Sequence, residues 1–191
     1  MKNILLVIIT IVFITTPTLC FGQDTTAIAG NTAKEKRISY AFINEYGGNF
    51  GAVINDGFFW GEIIGVFVNG IRFNKTQNEI GIGIGTEHMF IVQTFPIYFN
   101  YRHYFPTFLD VTPLINIAVG TRLSLWADHL SDRRDPNAPH KILVSAGLYS
   151  TIAGGFKVKS FSLTAGAFLK SLEFLDNYYF IGAEIKVGFT F

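Results

Sequence analysis

The last seven residues, 185–191, alternate apolar and polar side chains down to an aromatic end. Successive strand side chains point to opposite faces, so Ile185, Val187, Phe189 and Phe191 share one face and Lys186, Gly188 and Thr190 the other. A terminal strand of this kind needs cover for both its edge and its apolar face, and a closing barrel in a membrane supplies both. The same period of two recurs upstream. Segment 79–86 is the clearest case, with Ile80, Ile82 and Ile84 opposite Gly81, Gly83 and Gly85. Segment 92–105 sends Phe95, Ile97, Phe99 and Tyr101 outward and Thr94, Tyr98, Asn100 and Arg102 inward. Pro96 shares the inner parity but lacks an N–H, which predicts a bulge or strand end there. Segment 111–126 places Ile115, Ile117, Val119, Thr121 and Leu123 outward, against Asn116, Gly120, Arg122 and Ser124.

Further strands are predicted at 38–50, 59–73, 142–156, 160–172 and 178–191. In the second of the chain, Glu62 and Arg72 share a parity while Asn69 falls with Phe67 and Ile71, which predicts a bulge near Gly70. Eight strands of this length predict an all-β fold, a closed antiparallel up-and-down transmembrane barrel over 38–191. An even strand count puts both ends in the periplasm, with short turns there and longer loops outside. The predicted turns are 74–78, 106–110 and 157–159; the predicted loops are 51–58, 87–91, 127–141 and 173–177. The longest and most charged of these, 127–141, falls on the external side.

The start of the chain sets the compartment. Residues 1–22 read as a secretory signal peptide: Lys2 is the positive start, Ile4 to Ile14 the apolar run, and Cys20-Phe21-Gly22 the small-residue pattern for cleavage after Gly22. The run is too short to span a bilayer as a helix, and Leu19 before Cys20 does not suit a lipoprotein signal. Cleavage removes the only cysteine, so neither a disulfide nor a thiol nucleophile is expected. Residues 23–37 form a polar periplasmic linker.

Composition separates two kinds of β protein. The chain is 49% hydrophobic and 16% aromatic but only 15% charged, against about 25% charged in soluble domains. A soluble sandwich covers its outer face with Lys and Glu; here Gly, Ser, Thr and Asn fill the polar parity, as a narrow lumen requires. Loss of Lys2 brings Lys plus Arg from 15 to 14, equal to the 14 Asp plus Glu. This balance gives no electrostatic case for nucleic acid.

The chain resembles the small outer-membrane β-barrel family of Gram-negative bacteria, the eight-stranded "outer membrane protein beta-barrel domain" group. The resemblance lies in the signal ending Cys20-Phe21-Gly22, the segment from Val68 to Asn74, the glycine-alternating strand from Ile80 to Gly85, and the terminal strand closing on Phe191. It implies residence in the cell outer membrane and insertion by the barrel-assembly machinery, with Phe189 and Phe191 as the assembly signal. It implies no shared catalytic residue.

The inner parity collects Glu62, Arg72, Glu79, Arg102, Arg122, Lys170, Glu184 and Lys186. A lipid-facing Arg or Lys costs about 2–4 kcal/mol at the midplane, so these charges are expected inside, paired as a structural network. The same lining could instead serve a narrow passive pore, although eight strands leave room only for side chains. Asp128, His129, Asp132, Arg133, Arg134, Asp135 and His140 form a polar loop cluster whose spacing matches neither an EF-hand nor a zinc motif. It reads as a solvated surface loop in which Arg133 and Arg134 suit lipopolysaccharide phosphates. Ser124, His129 and Ser131 are the available pieces for an outer-leaflet lipid-modifying enzyme, but no acidic residue is placed to orient them. Trp60, Trp126, Tyr101, Tyr104, Tyr178 and Tyr179 fit two aromatic girdles, with His88 and His103 near strand ends.

The expected protein is therefore a non-enzymatic, monomeric outer-membrane barrel with a structural or interaction role in the cell envelope. It needs no cofactor or metal, and its neighbours are lipid and lipopolysaccharide. A soluble lipocalin-type barrel is the architectural rival; it would turn the apolar parity inward around a ligand.

Overall fold

Each strand pairs with the one before it in sequence, and the last returns to the first. A computed structural model describes residues 38–54, 58–89, 92–107, 110–127, 142–172 and 178–191. Its strands are β1 (Ile38–Val53), β2 (Phe59–Phe73), β3 (Asn78–Met89), β4 (Val92–Tyr104), β5 (Val111–Ala127), β6 (Ile142–Val158), β7 (Phe161–Leu172) and β8 (Tyr178–Thr190). They form a closed antiparallel barrel in chain order. The signal over 1–22, the linker over 23–37 and the loop cluster from Asp128 to His140 lie outside the described residues.

Closure satisfies the backbone of what would otherwise be two sheet edges. The β1–β8 ladder runs from Ile43↔Thr190 to Val53↔Phe180. Phe191 extends it, donating its N–H to the Phe42 carbonyl at 2.8 Å. The connections alternate between two ends of the barrel. Residues 74–77, 105–110 and 159–160 join strands at the turn end, which also holds Ile38 and Thr190; 54–58, 90–91, 128–141 and 173–177 join them at the loop end. Strand β3 runs past the expected boundary at 86, so Glu87 is a strand residue and not part of a loop.

The outer face is mostly apolar. Ile63, Ile82, Ile84, Phe99, Val119, Ile152, Ile181 and Ile185 are all exposed. No Asp, Glu, Lys or Arg occupies an outward position on the described strands. Two glycines on this face are covered by aromatic partners from β1. Tyr46 pairs with Gly65 and Phe50 with Gly61, and a Cβ on either glycine would stand 3.6–3.7 Å from the ring. Such rings shield backbone that a glycine leaves bare.

Two predicted bulges are absent. The β1–β2 ladder is unbroken from Ile38↔Phe73 to Ala52↔Phe59. Asn69 simply faces outward with Phe67 and Ile71, and the Tyr40 hydroxyl donates to its Oδ1. Gly70 and Gly81, paired across β2 and β3, instead let two backbones approach, since a Cβ on Gly70 would lie 2.4 Å from the Ile80 carbonyl oxygen. Pro96 sits within β4. The β3–β4 ladder reaches Ile84↔Ile97 and resumes at Glu87↔Thr94 in the same register, so the missing N–H costs a gap and not an extra residue. Tyr40→Phe should cost about 1 kcal/mol by leaving the Asn69 amide without its donor, read as a lower urea midpoint in detergent.

Candidate functional site: the barrel lumen

Near the loop end, four strands send one charge each into the lumen. Glu62 of β2, Glu87 of β3, Arg122 of β5 and Lys170 of β7 have side chains no more than 1% exposed. Arg122 lies 2.9 Å from Glu62 and 3.3 Å from Glu87. Lys170 lies 3.0 Å from Glu62 and contacts Glu87 as well. Each carboxylate therefore meets both cations, and the quartet is electrically neutral. Neutral groups take up further capacity: Thr94 Oγ1 donates to Glu87 at 3.0 Å, and Asn49 Nδ2 donates to Glu62 at 2.9 Å. Burying four charges is tolerable only with this degree of pairing.

Aromatic side chains close the space beside the quartet. Trp60 meets Phe180 edge-on at 5.0 Å and Phe168 at 5.7 Å. The Lys170 ammonium lies 4.8 Å from the centre of the Phe168 ring. Trp60 and Tyr104 were expected in the outer girdles, yet both are 6% exposed and face inward. Their strand parity settles it: Trp60 shares a face with Glu62, and Tyr104 with Arg102. Tyr101 and Tyr179 face outward, while the side chains of Trp126 and Tyr178 lie outside the described ones.

The middle of the lumen is apolar. Ile43, Ile64, Val66, Val68, Tyr98, Ala118 and Tyr149 form one buried cluster. Tyr98 and Tyr149 stack with ring centres 4.9 Å apart and planes at 20°. They can meet because Gly120 of β5 stands between them in register, paired with Tyr98 on one side and Tyr149 on the other. Gly83, opposite Tyr98 on β3, leaves the space the ring occupies.

Further charges pair beside this layer and toward the turn end. Arg102 pairs with Glu45 at 2.7 Å, with both side chains fully buried. Lys186 pairs with Glu184 two residues away at 2.9 Å. Arg72 donates to Glu79 at 2.7 Å and to the Tyr104 hydroxyl at 3.1 Å. All eight charges named from parity point inward. Glu45, Glu87 and Lys157 were missed. Glu87 falls in a stretch whose pattern reads as a loop, Lys157 in a predicted turn, and for Glu45 the parity with Asn49 is the available signal.

The remaining candidates disperse. Ser124 faces the lumen and is 1% exposed; His129 and Ser131 lie outside the described residues. His103 faces outward, its Nδ1 2.7 Å from Asn78 Oδ1. Phe189 and Phe191 lie on the outer face, 42% and 68% exposed. Among the described residues no group of His, Cys, Asp and Glu is arranged to hold a metal.

No family model matches the chain, and no curated protein matches it. Among solved structures, the crystal structure of Neisserial surface protein A is similar, with a TM-score of 0.54 at 12% identity, over 81% of this chain and 98% of that one. The likeness is one of fold.

Proposed function

We propose that this barrel is an integral protein of the bacterial outer membrane, monomeric and non-enzymatic, with a structural or interaction role and a closed interior. The observation that carries the reading is the sorting of charge. Every described Asp, Glu, Lys and Arg on the strands faces the lumen, while the outward positions are mostly apolar. In water such a surface would be an aggregation hazard far beyond the few hundred Å² usual for a monomer. In a bilayer it is the solvent-matched face. A lipocalin-like barrel would have the opposite sorting.

The likeness to a Neisserial surface protein supports the same compartment. In this orientation the turn end faces the periplasm, and the longer loops, with Arg133 and Arg134, meet lipopolysaccharide. A lumen blocked by the quartet and by the Tyr98–Tyr149 stack favours a plugged barrel over a pore. Ser124, turned into that lumen, lends no support to a lipid-modifying site on the rim.

Membrane fractionation with heat-modifiable gel mobility tests the location: the folded form should migrate differently from the boiled one and sediment with outer membranes. Recovery in the soluble periplasmic fraction without detergent would overturn it. Planar bilayers containing the purified protein should show no discrete conductance steps; regular steps would replace the plugged reading with the pore.

A further inference from the structure

At the turn end, beyond the paired charges, a cavity of about 370 Å³ opens among inward side chains and the turns. Arg72, Tyr104, Thr112 and Lys157 line it from β2, β4, β5 and β6, and Gln77 and Lys159 contribute from two turns. Its lining holds three cations and no carboxylate.

The charge arithmetic differs here from the rest of the lumen. Arg72, Arg102, Arg122, Lys170 and Lys186 each have a carboxylate within ion-pair distance. Lys157 is the inward cation that has none among the described residues; its ammonium lies instead 5.5 Å from the centre of the Tyr104 ring. Lys159 is exposed at the rim and likewise has no ion pair among the described residues. With Arg72 neutralised by Glu79, two positive charges are left over. Every other inward cation on the described strands is balanced, so the excess falls on the lining of this cavity.

The cavity is also built, not merely left. Tyr104 is held by three contacts: its backbone N–H donates to the Gln77 carbonyl at 2.9 Å, its hydroxyl bonds Glu79 at 3.2 Å, and Arg72 stacks on its ring at 4.6 Å. The two turns on the rim both use left-handed backbone at a residue with a side chain, Gln77 at φ 54° and Lys159 at φ 53°. The size suits a small ligand.

We infer that this cavity binds a small dianion, a phosphate or a short dicarboxylate, with Lys157 and Lys159 supplying the balancing charge and Thr112 and Gln77 neutral hydrogen bonds. The Tyr104 ring forms its floor. The inference is independent of where the barrel resides or whether it conducts.

Calorimetric titration of the mature chain, refolded in zwitterionic detergent, tests it with inorganic phosphate and with succinate as separate probes and acetate as the monoanion control. Saturable one-site binding of at least one dianion, tighter than acetate and weakened by added salt, is expected. Binding of phosphate alone, of succinate alone or of both supports the site and assigns its class. Lys157→Gln should weaken binding about tenfold, as loss of one charge-assisted contact does. Lys157→Arg should largely retain it. Lys75→Gln, on the adjacent turn but outside the lining, should change nothing. No dianion binding at millimolar concentration, unchanged affinity in Lys157→Gln, or an equal loss in Lys75→Gln would each overturn the inference. Unaltered heat-modifiable mobility of Lys157→Gln establishes that the variant has folded.

Discussion

Lys170→Met should destabilise the folded barrel by about 3–5 kcal/mol, the loss expected when one member of a buried ion group is removed and its partners stay charged. Lys170 is fully buried and serves both Glu62 and Glu87. Without it, two fully buried carboxylates share Arg122. The measurement is the urea midpoint for unfolding in detergent micelles. The companion variant makes the cause visible. Lys170→Met combined with Glu87→Gln restores neutrality, with Arg122 facing Glu62 alone, and should recover more than half of the loss. A single-variant loss under about 1 kcal/mol would mean the quartet behaves like exposed ion pairs, which contribute about that much or less. The plugged reading of the lumen would then fail.

The second large effect concerns shape. Gly83→Val should cost about 3 kcal/mol, the upper range for overpacking a filled interior. A Cβ at Gly83 would stand 2.2 Å from Cζ of Tyr98, and the ring cannot swing aside freely because it is buried against Tyr149. Tyr98→Ala alone removes a large core side chain and should itself cost about 3–5 kcal/mol. Together the two changes exchange volume across one strand pair, so their effects should fall short of additive by about 1 kcal/mol or more. Strict additivity would show that Gly83 does not make room for the ring.

These two sites show how far the sequence could be read. Alternation identified all eight strands, because a barrel buries one face continuously and a one-residue slip would expose charge to lipid. The same parity turned Arg122 and Lys170 inward. What parity cannot do is choose partners across a closed lumen. Glu62 and Lys170 meet although 108 residues separate them, and that depends on strand tilt and stagger. The apolar centre was hidden for a related reason. Ile64, Val66 and Val68 share a parity with Glu62 and Arg72, while their outward neighbours include Gly61, Gly65 and Asn69. In β2 the usual hydropathy contrast is therefore inverted over several residues, and a bulge was the natural but mistaken repair. Trp60 and Tyr104 suit an outer girdle by residue type, but their strand face places them in the lumen.

The closure at Phe42 and Phe191, where Phe42 N–H also donates to the Phe191 carbonyl at 3.4 Å, has a kinetic meaning as well as a structural one. Seven of the eight strand interfaces join neighbours in sequence, so each can form as a hairpin with little loop entropy to overcome. The eighth, from Ile43↔Thr190 upward, joins opposite ends of the domain. Contacts of such long range form slowly, because the whole intervening chain must be ordered before they are rewarded. The curved sheet must therefore assemble first and zip shut last. Until it does, β1 and β8 both carry unpaired backbone, and that interval is when the chain most needs either a bilayer or a chaperone at its open edge.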